Sequence, residues 1–159
     1  MTKQTAPCKP GGPALFSLSL DDIDLGETFW SNHDPSLRHR AAFVSYGDTG
    51  ARDSAVILAE LEPGFAVGRH TDSAEEVVIV LSGALQAEIG DETRRLAAGD
   101  LVLVPERMPH NFRNIGDGPA RFLGFFAKAQ IISTFDVPLM PGGQRVFRTD
   151  QMVTDPPIS

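Results

Sequence analysis

Short apolar runs separated by turn residues fill the chain from residue 41 to residue 127, and no stretch places its apolar positions at helical spacing. The runs at 41–46, 54–61, 66–72, 76–81, 84–89, 93–97, 101–104, 110–115 and 120–127 predict strands. Between them stand Gly47-Asp-Thr-Gly50, Pro63-Gly64, Ser82-Gly83, Gly90-Asp91, Ala98-Gly99-Asp100 and Gly116-Asp-Gly-Pro119, all turn formers. Strands this short and this regularly punctuated predict an all-β sandwich or barrel. Two of them, Val77-Val78-Ile79-Val80-Leu81 and Leu101-Val102-Leu103-Val104, are apolar on both faces. A strand with one wet face would alternate, so a sheet edge, a terminal arm or a second copy of the chain is expected to cover the outer face. The pattern divides the chain into an N-terminal arm (1–40), a barrel (41–128) and a C-terminal tail (129–159). The tail, with Pro138, Pro141, Pro156 and Pro157, is expected to be irregular chain packed on the barrel or on a partner.

Composition narrows the partners. The chain has 159 residues, one domain by size, and a net charge of −7 with no lysine- or arginine-dense stretch. That balance argues against nucleic acid and against an anionic membrane surface, and leaves a small molecule as the expected partner. No apolar run approaches the ~20 residues of a membrane span, and Met1-Thr-Lys-Gln-Thr-Ala-Pro-Cys8 lacks the apolar core of a signal peptide, so the expected location is cytoplasmic. Cys8 is the only cysteine, cannot form an internal disulfide, and is read as incidental within a flexible arm.

The pleat gathers the chemistry. Alternate side chains of a strand share a face, so His70 and Asp72 project together and Glu76, also even-numbered, can join them after a bend. His110 must arrive from a separate strand, with Pro105 and Pro109 restricting the backbone on its approach. Imidazoles and carboxylates around one point, with positions left open, form the ligand set of non-haem iron and related divalent sites. Phe112 shares parity with His110, and Phe122 with Phe126; these three are candidate pocket walls for an apolar or aromatic substrate, core filling being their alternative use. Glu75 has the opposite parity and is expected to face away. His33, Arg38, His39 and Arg40 form a basic island that either clamps a carboxylate, supplies a ligand from a folded-over arm, or is an ordinary polar segment. No Ser-His-Asp set, phosphate-cradling loop or nucleotide fingerprint occurs.

Two sets of residues carry a family resemblance. Gly64, His70, Asp72, Glu76 and Gly83, then Gly99, Pro105, Arg107, His110 and Asn114, resemble the paired motifs of the cupins, G-x5-H-x-H-x3,4-E-x6-G and G-x5-P-x-G-x2-H-x3-N. Asp72 replaces the family's second histidine and Arg107 its glycine. The resemblance covers about residues 54–128 and implies a small single-domain cupin with an antiparallel jelly-roll barrel and short irregular terminal arms. It implies a mononuclear divalent metal, iron, manganese, nickel or zinc, held by His70, Glu76, His110 and Asp72, and a homodimer. Asp72 is either a direct ligand, or a base or water-orienting group beside the other three, or part of a metal-free polar cluster. Arg107 would stand near the pocket mouth, as an anion contact or as a solvated turn residue. The leading expectation is a dioxygenase-type oxidoreductase resembling the small quercetinase-like cupins. A metal-dependent isomerase or lyase and a non-catalytic ligand-binding or sensing protein are the alternatives, because the fold hosts all of these.

Overall fold

In the computed structural model, residues 16–151 are described. Twelve strands follow in order: β1 (Thr28–Trp30), β2 (Arg38–Ser45), β3 (Ala55–Leu61), β4 (His70–Asp72), β5 (Glu76–Ser82), β6 (Ala84–Ile89), β7 (Glu92–Ala97), β8 (Leu101–Val104), β9 (His110–Asn114), β10 (Ala120–Phe126), β11 (Ile132–Leu139) and β12 (Gln144–Arg148). The only helices among the described residues are single 3-10 turns. Two six-stranded sheets form, ordered β1-β2-β3-β10-β5-β8 and β12-β11-β4-β9-β6-β7, and every pairing is antiparallel. The expected all-β, jelly-roll architecture is present as a sandwich of two facing sheets.

Alternation along the strands explains the packing. Val78, Val80, Leu85, Ala87, Val104, Phe112 and Phe122 point between the sheets and are buried in one continuous core. Each valine, leucine or phenylalanine among them contributes on the order of 1.5–3 kcal/mol by leaving water, while the polar alternates stay outside. The turn at Ser82-Gly83 carries the chain from the first sheet to the second, and only glycine serves there. Gly83 has φ +82°, and a Cβ would lie 2.8 Å from the Ala120 Cα. At the far end of the second motif, the buried Asn114 side chain donates to the Leu61 and Gly118 carbonyls, at 2.8 Å each, and accepts from the Gly116 N–H at 2.9 Å. That asparagine is a pin between loops.

The terminal regions differ from the expectation of irregular arms. Residues 28–30 add β1 to the first sheet, and residues 132–148 form the β11–β12 pair of the second, with β11 bonded directly to β4. The prolines misled the reading: Ile131-Ile-Ser-Thr-Phe135 is rich in β-branched and aromatic residues, and Pro138 lies beyond the β4 contact, where a missing N–H breaks no bond to that strand. Leu18, Ile23 and Leu25 of the N-terminal region lie against Ala42, Val44, Leu58 and Leu123, covering part of the first sheet's outer face. Cys8, Pro156 and Pro157 lie outside the described residues.

Candidate metal centre

Strand register builds the site. In the pairing of β4 with β9, His70 stands directly opposite His110, and in the pairing of β4 with β11, Asp72 stands opposite Ser133 and His70 opposite Phe135. Directly opposed side chains have Cβ atoms about 4.5–5.5 Å apart, so the two imidazoles and the carboxylate are neighbours by construction. Their ligand atoms all lie within 4.8 Å of one another, and all three residues are buried. The Asp72 Oδ2 is 3.2 Å from the His110 Nε2 and 3.6 Å from the His70 Nε2.

The hydrogen bonds around the trio leave these atoms with nothing else to do. A carbonyl oxygen can only accept, so the His70 Nδ1–H donates to the Gly68 carbonyl at 2.7 Å and the His110 Nδ1–H to the Met108 carbonyl at 2.8 Å. In each ring this leaves Nε2 as the nitrogen on the side facing Asp72, the orientation that backbone carbonyls fix in metal-ligating histidines. The Ser133 hydroxyl donates to the Asp72 Oδ1, while Asp72 Oδ2 and His110 Nε2 are sealed from solvent without a hydrogen-bond partner. Buried polar atoms left unpaired are costly, and a divalent cation at their convergence would satisfy them together. The donor set therefore fits a metal.

Glu76 approaches from the other sheet. It opens β5, pairs with Val104 and Phe126, and faces the same cavity as His70 and Asp72 without joining the tight trio. Gly124 leaves room for it, since a Cβ there would come within 3.1 Å of the Glu76 carboxyl carbon. The cavity, of about 50 Å³, is lined by His39, Ala41, Phe43, Ile57, His70, Asp72, Glu76, Phe112, Phe122, Phe126, Ser133 and Phe135, among others. The three predicted pocket phenylalanines all stand on its wall.

Protonation follows from this crowding. Burial pushes the His70 pKa down to about 4 despite the adjacent Asp72, so this imidazole is neutral at physiological pH. For Asp72, burial works upward but the two histidines and Ser133 outweigh it and hold the carboxylate ionised. For His110, burial works downward, and Asp72 at 3.2 Å and Glu76 outweigh it, raising the pKa above its usual 6.5. Burial, and then the Asp72 charge, pushes Glu76 up to about 8. A ligand binds metal in its deprotonated form, so metal competes with protons at His110, whose pKa is raised, and releases a proton from Glu76 at neutral pH if Glu76 coordinates. Affinity is therefore expected to rise with pH, and to go on rising to about pH 8 if Glu76 coordinates. Titration calorimetry in buffers of different ionisation enthalpy counts the protons released, and equal release in wild type and Glu76→Gln would exclude Glu76 from the coordination shell.

The remaining predicted residues separate. Glu75 is exposed, as its parity requires. His33 and Arg38 are exposed on the surface, whereas His39 of the same island turns into the cavity. Arg107 is corrected: it is exposed in the turn before β9 and is absent from the cavity wall. Its backbone explains why the motif has glycine at this position, because φ is +62°, the left-handed region where a side chain is strained. The Arg107 N–H donates to the Asp72 carbonyl at 2.9 Å, so the main chain ties the turn to β4. Arg107→Gly is expected to stabilise the fold by about 1 kcal/mol, raising Tm by about 2–4 °C with metal content unchanged; differential scanning calorimetry with metal analysis checks both. Sequence reasoning missed Ser133, since its role depended on recognising β11 as a strand. It also left open the role of His39.

A sequence profile described as Cupin domain matches residues 57–126, spanning β3 to β10 and both motifs. This chain contains a cupin domain. Among curated proteins, it is similar to Polyketide synthase CurC of Streptomyces cyaneus, 36% identical over 46% of this chain and 49% of that one. Protein SchB of Streptomyces halstedii is 33% identical over 52% and 60% of the respective chains. The chain thus spans about half to three-fifths of the length of these relatives. Among solved structures, Bacillus subtilis oxalate decarboxylase superimposes with TM-score 0.58 at 24% identity, covering 62% of this chain and 28% of that one. The Lactobacillus farciminis enzyme superimposes with TM-score 0.59 at 21% identity, covering 62% and 31%. At these identities the likeness establishes the shared cupin fold. The Bacillus subtilis protein is described as having Mn(II) centres.

Proposed function

We propose that this cupin is a metal-dependent oxidoreductase of the dioxygenase type, acting on a small organic substrate in the cavity beside His70, Asp72 and His110. The observation that carries the reading is the pair of imidazole nitrogens with an unpartnered carboxylate oxygen between them, His70 and Asp72 lining a largely apolar cavity and His110 packed behind them. Two histidines and one carboxylate occupy one face of an ion and leave other positions open. A divalent ion there would supply Lewis acidity and, as iron or manganese, redox chemistry with O₂. The Mn(II) of the structurally similar decarboxylase and the donor set together favour these hard, oxygen-tolerant ions.

The chain's own residues do the rest. Ser133 holds the Asp72 carboxylate in orientation, and the Gly68 and Met108 carbonyls hold the rings. Phe112, Phe122, Phe126 and Phe135 exclude water around the bound molecule. Glu76, held protonated near neutrality, can pass a proton to or from a substrate oxygen. Size limits the substrate. An apolar cavity of about 150 Å³ accommodates benzene, and this one has about 50 Å³. A molecule of a few carbon and oxygen atoms fits as the structure stands, and an aromatic ring enters only with movement of the phenylalanines. The name of the Streptomyces cyaneus relative is consistent with the carbonyl-rich end of a polyketide as such a group.

The test begins without a substrate. Protein loaded anaerobically with Fe²⁺ and exposed to nitric oxide is expected to give the half-integer-spin EPR signal of an iron–nitrosyl, and a coordinatively closed site gives none. A panel of small hydroxy-ketones and diketones then separates the readings: O₂ uptake matching substrate loss supports the oxidoreductase. Turnover without O₂ uptake moves the assignment to an isomerase or lyase, and binding without turnover to a sensing protein.

A cytoplasmic homodimer is part of the same proposal. No helix among the described residues is long and apolar enough to cross a membrane. Leu101, Leu103 and Phe125 are 58%, 49% and 46% exposed on one outer face, beside Ile79 and Leu81 along the β8 edge. A second copy burying this stripe is expected to give a dimer by light scattering at micromolar concentration, and Leu101→Glu with Leu103→Glu a monomer. A monomeric wild type would remove the dimer.

A further inference from the structure

His39 is a buried polar group that the metal site does not use. It lies on β2 in line with Ala41 and Phe43, its ring forms part of the cavity wall, and it is 5% exposed. Phe29 stacks on it at 5.4 Å with planes 24° apart, and Phe135 at 6.4 Å with planes 15° apart; Phe135 in turn stacks on His70 at 4.6 Å. His39 stands outside the compact group of ligand atoms, and its Nδ1 is sealed from solvent with no hydrogen-bond partner. Burial, reinforced by His70, pushes its pKa down to about 3, so the ring is neutral. A neutral imidazole carries one N–H and one bare nitrogen. Orphaned buried N–H groups are rarer than orphaned acceptors, which assigns the bare nitrogen to Nδ1 and the proton to Nε2. A phenylalanine could make the same two ring stacks without burying an unpaired nitrogen, so the imidazole has a use that packing does not account for.

We propose that His39 is a substrate-anchoring residue, whose Nε2–H donates a hydrogen bond to a carbonyl or hydroxyl oxygen of a small neutral molecule in the cavity. The proposal rests on the reading of this cavity as the substrate site, and it is independent of which metal binds there. Such a donor would discriminate oxygenated molecules from apolar ones of equal size, because a site built to pair with an oxygen gains little from a ligand lacking it.

The test uses metal-free protein, hydroxyacetone as the oxygenated probe and xenon as the apolar one. Histidine-ring nitrogen NMR is expected to show His39 as the neutral Nε2–H form, with that resonance shifting as hydroxyacetone is added. His39→Phe, which keeps both stacks, is expected to weaken hydroxyacetone binding on the order of tenfold. Xenon uptake is expected to stay unchanged, and His39→Gln, which restores a donor, to recover most of the loss. Equal hydroxyacetone affinity in wild type and His39→Phe overturns the proposal, as does an unmoved His39 resonance in the wild type, which requires no variant to fold. Metal content, measured separately on the same preparations, decides the metal-site reading on its own terms.

Discussion

Replacing His110 by alanine is expected to abolish metal binding while the sandwich still folds. The imidazole is fully buried, and its Nε2 is one of two nitrogens facing the Asp72 carboxylate, so truncation removes one of the three converging ligand atoms. The loss in affinity is expected to exceed the ~10–100-fold typical of groups that act behind the ligands. Ser133→Ala supplies that comparison in the same protein, since it touches only the non-facing oxygen of Asp72. In wild type, metal at 100 times its Kd adds about 2.7 kcal/mol of stability, a rise in Tm of about 5–10 °C. In His110→Ala that rise should vanish. The variant should also melt lower without metal, by the cost of the void, yet retain its near-ultraviolet circular dichroism because the core around Val78, Leu85, Phe112 and Phe122 is intact. His110→Gln, closer in volume, separates void from ligand. Undiminished metal content by plasma mass spectrometry in both variants would remove His110 from the site.

The centre of the sheets was legible because turn chemistry and period-two alternation agree there. All nine expected strands exist, and the parity that grouped His70, Asp72 and Glu76 places all three on the cavity. Parity could not say that Glu76 belongs to the opposite sheet, which is why it stands apart from the trio: the bend at residues 73–75 carries the chain across the sandwich. The ends were misread for a different reason. Proline is counted against a strand wherever it falls, but a strand needs its N–H groups only where it is paired, and Ser133 to Phe135 contact β4 upstream of Pro138. The outer faces of the doubly apolar strands, expected to be covered, stay exposed at Ile79, Leu81, Leu101 and Leu103, because the N-terminal residues cover the side over Ala42, Val44 and Leu58. Arg107 shows the limit of reasoning from side chains. Its position was considered for its charge, while what distinguishes it is a backbone angle that no charge pattern reveals.

Asp72 decides between the ways this centre can work, and its variants are expected to differ sharply. As a direct ligand it would bind through the oxygen that faces both imidazoles, the other oxygen being held by Ser133. Asp72→Ala should then strip the metal as thoroughly as His110→Ala, whereas a role behind the ligands would leave metal bound and reduce activity by ~10–100-fold. Asp72→Asn keeps the shape and the Ser133 contact but removes the charge, so a loss in this variant is electrostatic in origin. With Asp72 and Glu76 both ionised, two carboxylates cancel a divalent charge. Asp72→His leaves the site one unit more positive and replaces a hard oxygen by a nitrogen donor. It is expected to shift preference from Mn²⁺ toward Ni²⁺, Cu²⁺ or Zn²⁺, along the order in which imidazole-rich sites rank these ions. Competition titrations of the four proteins against Mn²⁺ and Zn²⁺ read the shift directly. Identical content and preference in all four would show that Asp72 takes no part in binding. The paired orphan atoms would then be a buried polar cluster, and the cavity with its His39 donor would be the site of a binding protein.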